Sequence, residues 1–166
     1  PELGYLCADA LNRTGSTERA RSVAEAVAPA LKRTGDRKLR LRLQNLLGVI
    51  AFEAGETAEA ETRFATLLDD ASRWKDDEFA ARASNNLGVL ANIRARRELA
   101  LTYYERALAA YQRLGHRRGL AQTHYNLGIS HRDLGRTEDA DRHYRKAIRF
   151  AESCGSEDVV ALAETE

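Results

Sequence analysis

No stretch of this 166-residue sequence approaches the ~18 consecutive apolar residues that a membrane-spanning helix needs. No basic-then-apolar leader opens it either, so a cytoplasmic protein without a membrane partner is expected. An excess of charge of one sign is also missing. Lys and Arg number 26 against 25 Asp and Glu, a balance that supplies no electrostatic pull toward nucleic acid or an anionic membrane. Within the basic set, 22 Arg stand against 4 Lys, a skew that reads as genomic base composition rather than phosphate recognition. Cysteine is scarce: Cys7 and Cys154 lie in the first and last parts of the chain, where a bridge would require the fold to close on itself. Both are expected to be small buried hydrophobes. Proline is nearly absent, and only Pro29 falls within a helical pattern, where its missing N–H should kink or end the helix. The sequence opens at Pro1 without a Met and stops inside a new helical pattern at 159–163, and so reads as a piece of a longer protein.

What is present is apolar content of 43% beside 31% charged residues, enough for one ordinary domain with a real core. It is arranged as a repeat. Gly48, Gly88 and Gly128 recur every 40 residues, each preceded by Leu, at 47, 87 and 127. Ala20, Ala60, Ala100 and Ala140 keep the same period, Phe64, Tyr104 and Tyr144 follow four residues later, and Val27, Leu67, Ala107 and Ala147 form a further column. Breaks at Gly15, Gly55 and Gly135 precede Thr17, Thr57 and Thr137, which read as newly capped helix starts. Second breaks at Gly35, Gly115 and Gly155 are followed by Asp36, His116 and Ser156. The pattern predicts paired helices at 3–14 and 17–33, 38–54 and 57–74, 77–94 and 97–114, 118–134 and 137–153, with a stub from 157. A glycine inside a helix costs about 1 kcal/mol against alanine, so its recurrence predicts close helix contact with the neighbouring ring. One hairpin cannot bury its own apolar faces, which predicts an all-α solenoid of four stacked antiparallel hairpins.

Leu-Gly, an Ala twelve positions on, an aromatic and then a small residue together resemble the tetratricopeptide pattern, over essentially the whole chain. The usual period is ~34 residues; the longer one here resembles the variant found in Pins-type polarity adaptors, kinesin light chains and bacterial signalling or transcription regulators. The first unit departs from the pattern, with Ala8 and Ala24 where Gly and an aromatic are expected. The resemblance implies a right-handed superhelix and one tetratricopeptide-like domain over 1–166, with repeats at about 1–36, 37–76, 77–116 and 117–156 and a capping stub at 157–166.

It further implies that the first helix of each hairpin lines a concave groove. The residues projected there are Arg42, Asn45, Val49 and Phe52; Arg82, Asn85, Asn86 and Val89; and Gln122, Tyr125, Asn126, Ile129 and Arg132. Asparagine is a poor helix-interior residue, and four on one face suit the donors and acceptors of an extended peptide backbone. An amide ladder gripping a partner's main chain over a floor of Val49, Val89 and Ile129 is one reading; packing between neighbouring hairpins or simple solvation is the other. Arg42, Arg82 and Arg132 bias the partner toward carboxylates, while Glu53 and Asp133 dilute that bias. A carboxylate clamp of the chaperone-binding kind, with Lys at 45 or 85 and Asn at 49 and 89, is absent.

Other chemistry is thinner. His124 and His131 lie seven apart, about 10 Å along a helix, too far to share a metal, and His131 reads as a packed imidazole. No Asp/Glu pair, Ser/His set or Gly-rich phosphate loop converges, so neither catalysis, a cofactor nor a metal is expected. Arg94, Arg96 and Arg97 form a basic knob at a turn, and Trp74 is expected to pack under the next hairpin. Two functions are therefore expected from different classes. One is a non-catalytic scaffold binding a partner's peptide segment; the alternative is a peptide- or domain-sensing module of a larger bacterial regulator. Self-association through apolar faces at 3–11 or 159–162 is a further possibility.

Overall fold

The structure is a computed structural model describing residues 1–165; position 166, the last of the expected stub, lies outside the described residues. Among them the chain is entirely helical: α1 (Glu2–Arg13), α2 (Thr17–Thr34), α3 (Arg37–Glu53), α4 (Thr57–Arg73), α5 (Asp77–Ile93), α6 (Arg97–Leu114), α7 (Arg117–Asp133), α8 (Thr137–Glu152) and α9 (Glu157–Glu164). Every helix read from the repeat is present, with its ends displaced by no more than one residue.

The backbone groups into two compact units, 1–79 and from Ala80 onward, the boundary falling inside α5. In the first unit α1 pairs with α2 and α3 with α4, and α1 also lies beside α3. Its core joins Ala8, Ala20, Ala24, Leu31, Leu47 and Ile50. Ala8 and Ala24, where the repeat leads one to expect a glycine and a ring, are both fully buried, and the close backbone contact of the first hairpin is made instead by Gly4, where a Cβ would lie 2.4 Å from Val27 Cγ2. In the second unit α7 packs on α6 and α8, and α9 lies against α7 and α8. Val159 and Ala163 of α9 join the core of Ala140, Tyr144 and Ala151, so of the apolar face expected over 159–162 Val159 is buried, whereas Ala161 and Leu162 are exposed.

The recurring glycines are explained by geometry. A Cβ at Gly48 would lie 2.5 Å from Phe64 Cε1, at Gly88 2.4 Å from Tyr104 Cε1 and at Gly128 2.3 Å from Tyr144 Cε1. The ring of the second helix therefore lies directly on the backbone of the first. Gly119, which the repeat does not single out, makes the same contact with Tyr111 at 2.6 Å, here between α7 and α6. Each such ring removes apolar surface worth about 1.5–3 kcal/mol.

Helix starts differ from expectation in one respect. Thr17, Thr57 and Thr137 do begin helices, but as first helical residues, and the preceding Ser16, Glu56 and Arg136 make no side-chain capping bond. Side-chain caps sit at the other set of helix starts, except at Ser156, which makes none: Asp36 accepts from Leu39 N at 2.9 Å, Asp76 from Phe79 N at 3.1 Å, and His116 Nδ1 from Gly119 N at 2.9 Å. A side-chain acceptor is favoured there because it satisfies an amide that the helix leaves unpaired. Pro29 neither ends α2 nor is buried, and the helix runs on to Thr34. Cys7 and Cys154 are exposed free thiols. That reverses the expectation for both: Cys7 is one step round the helix from the buried Ala8, and Cys154 has left α8 for the following turn. Trp74 closes α4, and the Arg40 and Arg37 guanidinium groups lie 4.9 and 5.6 Å from its ring centroid, both from the same hairpin.

Two predictions follow from the backbone. Gly88→Ala should destabilise the protein by about 1–3 kcal/mol in urea denaturation despite alanine's better helix propensity, because Tyr104 is buried and cannot yield, and Tyr104→Leu in the same chain should recover part of the loss. Ala95, at φ 57°, occupies the left-handed turn position that glycine holds at Gly55 and Gly135. Ala95→Gly should therefore raise stability by about 0.5–1 kcal/mol.

Candidate functional site

The first helices of the hairpins carry the side chains projected for a ligand face, and each unit presents its own set. On α3, Arg42 is exposed, while Asn45, Val49 and Phe52 are half-buried at helical spacing. Asn45 Oδ1 is buried without a hydrogen-bond partner. In the second unit Arg82, Asn85, Asn86 and Val89 on α5 are half-buried, as are Gln122, Tyr125 and Ile129 on α7. Asn126 is 7% exposed. Arg132 is exposed and lies 3.3 Å from Asp133, which also pairs with Arg97 at 3.0 Å.

The amides of the second unit form a network rather than a row of independent groups. Asn126 Nδ2 donates to Asn85 Oδ1 at 3.2 Å, and Thr123 Oγ1 reaches the same oxygen at 3.1 Å. Gln122 Nε2 lies 3.5 Å from Asn126 Oδ1. A second rung joins Ser130 Oγ to Asn92 Oδ1 at 3.2 Å. Asparagine on this face therefore ties α5 to α7, which is the packing alternative for Asn85 and Asn126. Asn85 Oδ1 thus accepts from Asn126 with the Thr123 hydroxyl, shared with the Gly119 carbonyl at 2.8 Å, beside it, whereas no hydrogen bond of the Asn86 carboxamide occurs among the described residues. Beside the network, Val89 packs on the core at Leu101 and Tyr104. Tyr125 and Ile129 pack on the core at Ala140 and Tyr144, the two tyrosine rings 6.0 Å apart.

On the basic turn, Arg97 donates to the Asn92 carbonyl and pairs with Asp133, so this arginine is committed internally. The histidines give a result that linear spacing hides. His143 of α8 stands between the two histidines of α7: His124 Nδ1 is 3.0 Å from His143 Nδ1, and the His131 ring stacks on His143 with centroids 5.1 Å apart. His124 also stacks on Phe150 at 5.7 Å. His131 Nδ1 is 4.0 Å from Asp139 Oδ2, too long for a hydrogen bond. No group of three or more His, Cys, Asp or Glu among the described residues is placed to hold a metal. Burial, followed by His143 and Lys146, lowers the His124 pKa from 6.5 to about 4. Burial, followed by His131, Lys146 and Arg142 and opposed by Asp139, takes His143 to about 4 as well.

Residues 79–153 match the family model for the tetratricopeptide repeat, so the resemblance carried by the Leu-Gly, Ala and aromatic columns holds over that span. The regulatory protein AfsR of Streptomyces griseus is 28% identical over 135 residues, 81% of this chain and 14% of its own length. Among solved structures, aspartyl phosphate phosphatase F of Bacillus subtilis superposes with a TM-score of 0.90 at 18% identity, covering 98% of this chain and 43% of that one. The Rap conjugation gene regulator of plasmid pLS20, solved in complex with a Phr peptide, gives a TM-score of 0.88 at 20% identity, covering 98% of this chain and 45% of that one. These likenesses establish an all-helical tetratricopeptide-like fold, and the chain spans less than half the length of each of these proteins. No helix among the described residues is long and apolar enough to cross a membrane.

The histidine column generates a pH prediction. Unfolded, both imidazoles protonate near pH 6.5, whereas the fold holds them neutral down to about 4. The unfolded chain thus binds more protons in that window, and stability is present above 6.5 and lost as pH falls toward 4. Urea denaturation should show a loss of roughly 1–2 kcal/mol per pH unit between those limits, and His143→Gln should flatten the slope.

Proposed function

We propose that this chain is a non-catalytic protein-interaction module that holds a peptide segment of a partner against the first helices of its hairpins, and that residues 1–166 act as one domain of four repeats and a capping stub. In the second unit the proposed surface is the α5 and α7 face bearing Arg82, Asn85, Asn86, Val89, Gln122, Tyr125, Asn126, Ile129 and Arg132. In the first unit Arg42, Asn45, Val49 and Phe52 on α3 form a matching face by themselves. The observation that carries the reading is the Asn85–Asn126 pair. Its internal bonds use the Asn85 acceptor and fix the Asn85 and Asn126 carboxamides, leaving Asn85 Nδ2 as an oriented donor beside the unbonded Asn86 amide for a peptide backbone. Fixed donors lose less entropy on binding than flexible ones. The arginines at 42, 82 and 132 favour a partner with carboxylates.

A second reading has its own support: the module senses a peptide or a neighbouring domain within a larger bacterial regulator. It is favoured by the likeness to a regulatory protein of which this chain matches only 14%, and by the fold shared with a peptide-bound gene regulator. The two readings use the same surface.

A peptide display library selected on the intact chain provides the test. Selected peptides should bind Asn86→Ala several-fold more weakly while binding Arg145→Gln, on α8, as well as they bind the parent. Asn86 suits the purpose because its replacement breaks no bond of the α5–α7 network, so thermal stability should be preserved. Peptides indifferent to Asn86→Ala would reject this surface.

A further inference from the structure

The face of α7 opposite the amide network borders a cleft that the peptide reading does not use. At 100° per residue, His124 projects about 140–160° away from Gln122, Asn126 and Ile129. Its ring instead enters a cleft of about 520 Å³ between α6, α7 and α8. That volume falls in the range of small-molecule sites. The floor is aromatic and partly apolar: Leu108 of α6, Phe150 of α8, and the His124 ring stacked on Phe150 with an interplanar angle of 5°. His143 completes it through the 3.0 Å contact with His124.

The rim is cationic. Arg117 of α7 and Lys146 and Arg149 of α8 line the opening, all three side chains solvent-exposed. None of the three has an ion-pair partner among the described residues. Of the nearby carboxylates of α8, Asp139 holds Arg142 at 2.8 Å and Asp141 holds Arg145 at 2.9 Å, while Glu138 lies with Lys146 and Arg149 around an adjoining recess. Three cations without ion-pair partners around a partly apolar recess raise the local concentration of anions. The same field disfavours a metal ion at the two imidazoles, although their nitrogens face one another. It also agrees with the neutral state of His124 and His143, which Lys146 helps to impose. An anion among them would reverse that bias and draw a proton onto an imidazole.

We propose that the cleft between α6, α7 and α8 binds a small organic anion: a carboxylate or phosphoryl group held by Arg117, Lys146 and Arg149, carried on an apolar body that packs against Leu108 and the stacked Phe150 and His124. The site is independent of the peptide-binding face, so either can stand without the other. Arginine and lysine hold the oxyanion by charge-assisted hydrogen bonds, and the ring floor selects against inorganic anions.

Isothermal titration of the intact chain tests this with phenyl phosphate as the probe and inorganic phosphate and phenol as its separated halves. Phenyl phosphate should bind saturably at one site per chain, with each half at least tenfold weaker. Lys146→Gln and Arg149→Gln should each weaken it threefold or more. Arg145→Gln, which removes an equal charge from a paired position on the same helix, should change it by less than that. All three substitutions are at exposed side chains and should leave the melting curve in place. Absence of saturable binding, inorganic phosphate binding as tightly as phenyl phosphate, or Arg145→Gln weakening binding as much as the other two would each overturn the proposal.

Discussion

An aromatic ring lying on a bare stretch of helix backbone is the contact on which the rest of this structure depends. Phe64 on Gly48, Tyr104 on Gly88 and Tyr144 on Gly128 set how closely the two helices of a hairpin approach, and any Cβ would intrude to within 2.5 Å of the ring. Because the approach is so close, the residues around it must be small, which is why Ala60, Ala100 and Ala140 are buried at the same crossings. Glycine weakens a helix on its own; here the loss is offset by a buried ring that no larger residue would admit.

Close approach has a second consequence for polar groups. With first helices packed side by side, hydroxyls and amides at their interface lose water and must find partners in the protein. Thr123, Asn126 and Ser130 reach Asn85 and Asn92 for this reason. The same enclosure strips the imidazoles of His124 and His143 of solvent and holds them neutral, while the cations around them remain outside. One helix, α7, thus presents a hydrogen-bonding face on one side and an aromatic, cation-rimmed recess on the other. The repeat demands only the glycine and leucine between them, so both faces are free to vary without disturbing the hairpin.

Tetratricopeptide-like folds of this length recur in much larger proteins, and the matched relatives exceed this chain more than twofold. A stack of hairpins is suited to such use, since each hairpin contacts its neighbours and leaves its remaining surface available to a ligand.

The architecture was legible in the residues because it rests on local, periodic requirements: a glycine under a ring, a small residue beside it, and a left-handed residue at each turn. Those recur every 40 residues and place every helix end to within one position. Even there, the capping residues were misassigned, because threonine after a glycine resembles a cap and only backbone geometry distinguishes the cap from the first helical residue. The candidate site was legible as a set of positions and not as a set of bonds. A helical projection puts Asn85 and Asn126 on related faces, but whether their amides meet each other or a ligand depends on helix separation, a tertiary quantity. The pairing of His124 with His143 bridges two helices and follows no repeat, and the exposure of Cys7 and Cys154 depends on what packs beside them. Sequence by itself determined the helices, their pairing and their period, since these follow from interactions within one hairpin. Only the tertiary structure decided which polar side chains satisfy one another and which remain open to a partner, because that is settled by distances of a few tenths of an ångström between helices.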